Sequence, residues 1–335
     1  MKTDIPNMIR LGVIGTGKIT GRLLEAVKES EGIEAVAVYS RTEEKGRAFA
    51  DEYDIPKVFT SLEAFGQSRE IDAVYVASPN AMHAQQAEAM MRAGKHVLCE
   101  KPFASNTKEV RSMIQTAKEC GVTLMEAMMT THTPNFEAIR QNLPRLGKIR
   151  RFSANFCQYS SRYDSHKAGQ YTNTFDPTLS NGSLVDIGVY CVAPCVHLFG
   201  QPESVYAQAQ MLSTGVDGMG TVCLRYDGFE AVLTHSKMHN STLPSEIQGE
   251  EGSIIIERIS LTERILFVGR DGSEEDLSVP QHVNRMRYEV ADFVKTINEG
   301  RTESSVNTFE RSLQTIGIMD EARKQIGLVF PADKK

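Results

Sequence analysis

Short apolar runs and amphipathic segments alternate along the first part of the chain. The runs IRLGVIG, IEAVAVYS, IDAVYVASPN, HVLCEKP and VTLMEA are mostly apolar without a break, and helix-like segments separate them. In one such segment Ile19, Leu23 and Val27 recur every four residues, which places them on one helical face. Strands that are apolar on both faces are typical of a parallel sheet covered by helices on two sides. The pattern predicts a doubly wound α/β domain of the Rossmann type over residues 1–127.

The pattern changes after about Ala127. RRFSANFCQ and SVYAQAQM alternate between apolar and polar residues, as expected of strands with one exposed face. The dipeptide Asp227-Gly228 separates TVCLRY from FEAVLTHS, and this is a strong signal for a two-residue hairpin turn. Two amphipathic helices end the chain. Residues 128–335 are therefore predicted to form an α/β (α+β) domain with an open, mostly antiparallel sheet.

Length, charge and cysteine content narrow the class of protein. The 335 residues are enough for two domains, and 37 basic against 43 acidic residues give a net charge of −6 without a basic block that would bind nucleic acid. No apolar run approaches the ~20 residues of a membrane span, and the N-terminus lacks an apolar signal core. The six scattered cysteines are interpreted as reduced thiols. We expect a cytoplasmic protein that binds neither nucleic acid nor membrane.

A metal site is not predicted. Cys191 and Cys195 lie four residues apart with His197 nearby, a spacing that matches no common zinc pattern. His235 and His239 have no carboxylate between them.

The segment VIGTGKIT places two glycines between a buried strand and the start of a helix. Gly15 permits a tight turn, and Gly17 lets a pyrophosphate approach the backbone at the positive end of the helix. Thr20 stands where the usual third glycine would be. Because the segment follows the first strand of an alternating pattern, it predicts dinucleotide binding. The residues expected to hold the phosphates are Gly15, Thr16, Gly17, Lys18 and Ile19.

The end of the second strand bears on the choice of dinucleotide. NAD sites usually have an acidic residue there, whereas this chain has Ser40 and Arg41, with Lys45 nearby. A hydroxyl and a guanidinium suit a 2′-phosphate. NADP(H) is therefore favoured, and NAD(H) stays possible if Arg41 only stacks on the adenine.

Two later strands end in polar segments. ASPN and CEKP follow consecutive strands, and ligands of a doubly wound sheet bind beyond such carboxyl ends. Lys101 would then be delivered to the ligand by a rigid strand end. From residue types alone, a surface lysine before a turn is an equal alternative.

Five segments together resemble the glucose–fructose oxidoreductase / inositol dehydrogenase / rhizopine-catabolism (Gfo/Idh/MocA) family. They are GVIGTGKI, SRTEEKGRAFA, ASPNAMHAQQAEAMMRAGKHVLCEKP, LMEAMMTTHTP and GSLVDIGVY. The resemblance implies a Rossmann domain followed by an α/β domain whose open sheet commonly serves in oligomerisation. A homodimer or homotetramer formed through the C-terminal sheet is the corresponding expectation.

The resemblance also implies roles for individual residues. Lys101 is the lysine of the family's Glu-Lys-Pro motif and would lie near nicotinamide and substrate. In DIGVY, Asp186 is followed four residues later by the acid/base, which is Tyr190 here and His in many relatives. The tyrosine favours the branch that resembles glucose–fructose oxidoreductase and dihydrodiol dehydrogenase. The segments lining the cofactor would contribute Ser78, Pro79, Asn80, His83, Glu100 and Lys101.

These residues suggest a mechanism. A hydride would pass between nicotinamide and a secondary alcohol or carbonyl carbon, with Tyr190 as general acid/base and Lys101 favouring its phenolate. Asp186 would orient the substrate or Lys101. Spacing alone favours a core tyrosine at residue 190, and the match to the family motif is what favours the functional role.

A long polar stretch, QYSSRYDSHKAGQYTNTFDPTLSNGS, precedes this motif. Tyr159, Arg162 and Tyr163 are predicted to bind substrate hydroxyls, and Asn173 and Asp176 are further candidates. Loops of this length are usually functional or mobile. The alternative is that the stretch forms an oligomer contact or a solvated loop.

The combined prediction is an NAD(P)-dependent oxidoreductase that acts on the CH–OH group of a sugar, sugar derivative, polyol or dihydrodiol. A non-catalytic dinucleotide- or sugar-sensing regulatory protein of the same fold is the alternative. A third possibility is an enzyme whose nicotinamide never leaves and cycles between paired substrates.

Overall fold

The computed structural model describes residues 8–334, which form two compact units. The first unit contains residues up to Ala104, Lys108–Met129 and His282–Phe309. The second contains Ser105–Thr107, Thr130–Gln281 and Glu310 onwards. The predicted boundary after residue 127 differs from this division mainly because residues 282–309 belong to the first unit.

The first unit is built on a six-stranded parallel sheet in the order β3-β2-β1-β4-β5-β6. This order is that of a Rossmann fold. Its strands are β1 (Ile9–Ile14), β2 (Ile33–Tyr39), β3 (Lys57–Phe59), β4 (Ala73–Val76), β5 (His96–Glu100) and β6 (Leu124–Ala127). Its first five helices are α1 (Lys18–Lys28), α2 (Glu43–Tyr53), α3 (Leu62–Gln67), α4 (His83–Arg92) and α5 (Thr107–Cys120).

The middle of this sheet is buried on both faces. All four residues of the central strand β4 are buried, and so are all four of the edge strand β6, as the continuous apolar runs predict. Helices α1, α2 and α4 pack on the sheet, and the buried stripe of α1 includes Leu23, Leu24 and Val27.

The second unit contains an eight-stranded sheet in the order β14-β13-β12-β11-β7-β10-β9-β8. Only the β7–β10 pair is parallel, so the sheet is mixed and mostly antiparallel. The hairpin predicted at Asp227-Gly228 is present, because Phe229 pairs with Tyr226. The strands are β7 (Ile149–Cys157), β8 (Ser204–Met211), β9 (Asp217–Tyr226), β10 (Phe229–Ser236), β11 (Ser245–Gly249), β12 (Gly252–Glu257), β13 (Arg264–Gly269) and β14 (Glu274–Asp276).

The remaining helices are divided between the units. They are α6 (Pro134–Asn142), α7 (Tyr163–Lys167), α8 (Val189–Phe199), α9 (Met286–Asn298) and α10 (Phe309–Ile326). Helix α9 packs against α1 of the first unit, and the buried residues of its apolar stripe include Met286, Val290 and Phe293. The sequence predicts this helix but not the core that it joins.

Helix α8 is preceded by a π-helical turn, Leu184–Gly188, and packs on β10 and β7. Pro194 lies inside α8 and cannot donate a main-chain hydrogen bond to the carbonyl of Tyr190, four residues earlier. π turns are frequent at functional sites. Within the described residues, 177–199 is the one helical stretch long and apolar enough to cross a membrane. In its most apolar part 72% of the residues are buried, as in a core segment of the second unit.

Candidate functional site

The glycine turn between β1 and α1 is enforced by crowding. Gly15 has a φ of 111°, and a Cβ atom there would lie 2.5 Å from the carbonyl oxygen of Ala77, the residue after β4. Any other residue would meet both a backbone penalty and a clash with main chain. The turn therefore lies directly beside the carboxyl end of β4.

The start of α1 fits a phosphate group. Gly17 is the N-cap, no side chain caps the helix, and its first turn contains no acidic residue. A Cβ atom at Gly17 would meet no other atom within 4 Å, so the space above the backbone is open. Main-chain N–H groups and the helix dipole there favour an anion. The predicted role of Thr16, Lys18 and Ile19 beside the two glycines stays a prediction.

Gly21, next to the place of the absent third glycine, lies close to helix α2. A Cβ atom at Gly21 would lie 2.2 Å from the hydroxyl of Tyr53 on α2. The sequence pattern, which has Thr20 at the usual place, did not reveal this close approach. Thr20 is fully buried, and its hydroxyl makes no hydrogen bond within the described residues.

The end of β2 presents both candidate residues for the adenosine ribose. Ser40 is buried, its N–H donates to the carbonyl of Phe59 at 3.0 Å, and Gly46 of α2 lies close to its side chain. Arg41 and Lys45 are exposed. The segment thus offers a buried serine followed by two exposed cations, with no carboxylate until α2 begins at Glu43.

The ends of β4 and β5 lie side by side, since Val76 pairs with Cys99. Glu100 turns inward: its carboxylate accepts a hydrogen bond from the buried hydroxyl of Tyr75 and another, at 3.2 Å, from the N–H of Lys101. Lys101 is half-buried, and its peptide bond to Pro102 is cis. The Glu-Lys-Pro segment thus combines an internal anchor with an adjacent lysine that is not fully buried.

His83 ties the two strand ends together. Its Nδ1 lies 3.0 Å from the carbonyl oxygen of Pro102, and its Nε2 lies 2.9 Å from that of Ser78. Burial lowers the pKa of His83, and a neutral imidazole can donate to only one of these carbonyls. The ring is 1% exposed, so its geometry indicates a role in shaping the cofactor edge. Of the neighbouring candidates, Asn80 is half-buried and Pro79 is exposed, while the Ser78 hydroxyl is buried and makes no hydrogen bond within the described residues.

A second buried carboxyl group lies behind the same segment. Glu289 of α9 is fully buried, and neither of its carboxyl oxygens has a hydrogen-bond partner among the described residues. Burial raises the pKa of Glu289 well above its usual value, and the nearby Glu100 raises it further, whereas Arg22 lowers it. No sequence pattern indicated this group, because it lies far along the chain on an ordinary amphipathic helix.

In the second unit, Asp186 lies in the π turn and Tyr190 follows it in α8. The carboxylate of Asp186 forms an ion pair with the ammonium of Lys237, which is 8% exposed. Tyr190 is half-buried and its ring meets that of Phe156 edge-on, with the centroids 5.6 Å apart. Lys237 is a residue that the sequence analysis missed.

A further polar cluster fixes the start of the same helical segment. The carboxylate of Asp217 accepts a hydrogen bond from the N–H of Leu184 at 2.7 Å, and the Nδ1 of His235 lies 2.9 Å from the hydroxyl of Ser183. Burial raises the pKa of Asp217 to about 6 and lowers that of His235 to about 3. Gly182 is required here, since its Cβ would lie 2.2 Å from Asp217 Oδ1.

The polar loop before this helix uses several candidate residues for local contacts. The hydroxyl of Tyr159 donates to Asp164 at 2.7 Å and accepts from Lys167 at 2.9 Å. Tyr163 packs beside Phe175, and Arg162 is exposed.

Asp176 caps the following turn through Thr178 and accepts from Tyr171, while the carbonyl of Asn173 accepts from Asn181. These contacts organise the loop, and substrate binding by its side chains stays a prediction.

Within residues 8–334, no three or more His, Cys, Asp or Glu side chains form a group that could hold a metal ion. All six cysteines are free thiols, and burial raises the pKa of Cys195 to about 12. His197 is also buried, which lowers its pKa well below the usual value.

Two family models match this chain. Residues 9–128 match an oxidoreductase family with an NAD-binding Rossmann fold, and residues 138–255 match the GFO/IDH/MocA C-terminal domain. The chain belongs to the Gfo/Idh/MocA family of oxidoreductases. The resemblance seen in the sequence, the fold class and the expectation of an oxidoreductase are thereby confirmed.

The relatives cover the whole chain. The scyllo-inositol 2-dehydrogenase (NADP(+)) IolU of Bacillus subtilis is 53% identical, over 98% of this chain and 100% of its own length. Human trans-1,2-dihydrobenzene-1,2-diol dehydrogenase is 30% identical, over 98% and 99%.

Among solved structures, KijD10, a 3-ketoreductase from Actinomadura kijaniata crystallised with NADP and TDP-benzene, is 25% identical with a TM-score of 0.86, covering 97% of this chain and 99% of KijD10.

Proposed function

We propose that this chain is an NADP(H)-dependent dehydrogenase that oxidises a ring hydroxyl of a cyclic polyol of the inositol class. The proposal is supported above all by the 53% identity to IolU, a scyllo-inositol 2-dehydrogenase that uses NADP(+), along the full length of both chains. A dihydrodiol is the next substrate class, given the 30% identity to a trans-dihydrodiol dehydrogenase.

The first unit supports the cofactor assignment. The uncapped, acid-free start of α1 suits the pyrophosphate, and the open space above Gly17 admits it. At the end of β2, the hydroxyl of Ser40 would donate a hydrogen bond to the 2′-phosphate, and Arg41 and Lys45 would neutralise its charge. The absence of an acidic residue between Tyr39 and Glu43 argues for NADP(H) over NAD(H).

The bound nicotinamide would accept or supply the hydride. Tyr190 would take the proton from the reacting hydroxyl in oxidation and return it in reduction. The ammonium of Lys101 would stabilise negative charge on the substrate oxygen and favour the phenolate form of the tyrosine. Both residues are held in place by neighbours, since Glu100 accepts a hydrogen bond from the main chain of Lys101 and Phe156 packs against the ring of Tyr190.

Asp186 would hold a neighbouring hydroxyl of the substrate. The side chain of Asp186 is 35% exposed, while that of its partner Lys237 is buried. A cyclic polyol offers a second hydroxyl beside the reacting one, and an ionised carboxylate is a strong acceptor for it. Tyr159, Arg162 and Tyr163 would contact more distant hydroxyls from the loop.

The proposal is tested by following absorbance of reduced cofactor with a panel of inositols, sugars, a trans-dihydrodiol and dicarbonyls. We expect turnover of an inositol with NADP⁺ and much less with NAD⁺. Lys101→Met should retain cofactor binding and lose turnover, whereas Lys108→Met, which changes an exposed lysine of the same unit, should behave as the wild type.

Binding of NADP(H) without turnover of any substrate would favour the sensing protein instead. A cofactor that copurifies and is reduced and reoxidised in place would favour the paired-substrate enzyme. Cytoplasmic location and assembly of a homodimer or homotetramer through the eight-stranded sheet remain predictions, and light scattering of the purified protein would test the assembly.

A further inference from the structure

Lys237 stands at the end of an apolar stripe. On the inner face of β10 and just beyond it, Ala231, Leu233, His235 and Lys237 alternate, and all four are buried. The stripe lies beneath the π turn, which packs against β10. A methionine would continue the stripe at residue 237, yet the chain places an ammonium there. Burying a cation is costly unless it is paired, so a specific partner is expected.

The partner is the carboxylate of Asp186 in the π turn. The ion pair joins the side chain of Lys237, which is 8% exposed, to that of Asp186, which is 35% exposed. Because the cation is shielded, its attraction is screened less than that of a surface pair. The buried ammonium thus holds a carboxylate that belongs to a partly exposed side chain.

The backbone of Lys237 is itself held from two directions. Its N–H donates to the carbonyl of Gly218 at 2.8 Å, and its carbonyl accepts from the N–H of Ser160 at 2.9 Å. The preceding residue, Ser236, accepts from Gln158 in the same way at 2.8 Å. The main chain that carries the Lys237 side chain is therefore held in place at the end of β10.

A second carboxylate connects the ammonium to the start of the helical segment. Asp217 lies near enough to Lys237 for the cation to lower its pKa against the effect of burial. The carboxylate of Asp217 holds the N–H of Leu184, two residues before Asp186. The charge of one buried cation thus acts on two carboxylates, that of Asp217 at the start of the helical segment and that of Asp186 within it.

We propose that Lys237 is a positioning residue that fixes the ionised carboxylate of Asp186 in the orientation required for the substrate. The inference rests on the proposed function, since it assumes that Asp186 holds a substrate hydroxyl. Lys237 acts only through Asp186 and touches neither substrate nor cofactor.

A kinetic double-mutant cycle tests this role. Lys237→Met and Asp186→Asn should each reduce kcat/KM by about the same factor, up to about 10²-fold, because misorientation and neutralisation remove the same interaction. The kcat/KM of the double variant should lie within about twofold of the kcat/KM of the slower single variant. Lys237→Arg, which keeps the cation, should recover most of the activity.

The matched control is another buried lysine. Lys95 is 9% exposed, and its ammonium donates to the carbonyls of Ser68 and Ile71 in the first unit at 2.7 and 2.8 Å. Lys95→Met should lower thermal stability and leave kcat/KM of the folded fraction unchanged. Losses that multiply in the double variant, no rescue by arginine, or wild-type activity of Lys237→Met would overturn the positioning role.

The wild type, Lys237→Met, Asp186→Asn and the double variant are also compared in thermal unfolding, which does not depend on turnover. Lys237→Met should lower Tm, and adding Asp186→Asn should restore part of the loss by removing a charge that has lost its buried cation. If the wild type is active and the two substitutions change Tm additively, the positioning role of Lys237 is overturned and the proposed function stands. A wild type that turns over nothing in the panel overturns the proposed function and the kinetic role together, whatever the Tm cycle shows.

Discussion

Inside the first sheet, the hydroxyl of Tyr75 donates a hydrogen bond to the carboxylate of Glu100, and both side chains are buried. The same carboxylate accepts from the N–H of Lys101 at 3.2 Å. The glutamate of the Glu-Lys-Pro segment is therefore an internal anchor that sets the direction in which the chain leaves β5. This explains why two charged residues follow an apolar strand without a spacer: they face different surroundings.

Tyr75→Phe should destabilise the first unit and disturb Lys101. Removing the hydroxyl leaves a buried carboxylate oxygen without one of its donors, which costs about 1–3 kcal/mol. Denaturant unfolding measures the loss, and the kcat with the preferred substrate should also fall. Tyr206→Phe, at a tyrosine that is 62% exposed, is the control and should change neither quantity. Unchanged stability in Tyr75→Phe would mean that Glu100 does not depend on this donor.

Glu289 gives the protein a stability that depends on pH. Its pKa in the folded protein lies well above the value of 4.5 for an ordinary glutamate. The stabilising contribution is therefore complete below pH 4.5 and is lost as the pH rises through the folded pKa. The slope reaches at most about 1.4 kcal/mol per pH unit for one proton.

Glu289→Gln, which keeps the shape of the neutral acid, should remove this loss. Its Tm relative to the wild type should become steadily more favourable from pH 4.5 to pH 8, as followed by thermal unfolding in matched buffers. Glu31→Gln, at an exposed site, provides the control. A difference in Tm that is constant across this range would contradict a protonated Glu289.

Local pattern predicted much of this fold. Continuous apolar runs predicted the parallel sheet because both faces of such strands must be covered. Gly15 predicted the tight turn after β1, because few other residues tolerate its φ of 111°. Phosphate binding at this turn stays a prediction. The Asp227-Gly228 dipeptide predicted its hairpin because the turn requires positive φ, which Gly228 adopts at 80°.

What the sequence did not predict depends on contacts between distant residues. The stripe of α9 shows that it is amphipathic but not which core receives it, so its place in the first unit was missed. Asp217 and Lys237 are single charged residues at strand ends, and only the order β10-β9 brings them together. Glu100 was expected at the cofactor, whereas the partner that turns it inward, Tyr75, is 25 residues away.

Arg41 should decide between the two dinucleotides. Arg41→Ala should weaken binding of NADP(H) by about tenfold to a hundredfold, because a charge-assisted hydrogen bond contributes about 1.5–3 kcal/mol. Binding of NAD(H) should change by less than about threefold. Fluorescence titration of the reduced cofactors measures both constants, with Arg111→Ala, an exposed arginine on α5, as the control. Equal losses for the two cofactors would assign Arg41 to adenine stacking.

Tyr190→Phe separates acid–base catalysis from packing. Phenylalanine keeps the edge-on contact with Phe156, whose ring centroid lies 5.6 Å away, so the ring should stay in place while the ionisable hydroxyl is lost. If Tyr190 transfers the proton, kcat should fall by about 10²–10⁴-fold with KM changed little. Steady-state kinetics with the preferred polyol measures both constants, and Phe156→Leu serves as a comparison because it loosens the packing and keeps the hydroxyl. A change confined to KM in Tyr190→Phe would make the tyrosine a substrate-binding residue, and the proton acceptor would have to be sought elsewhere.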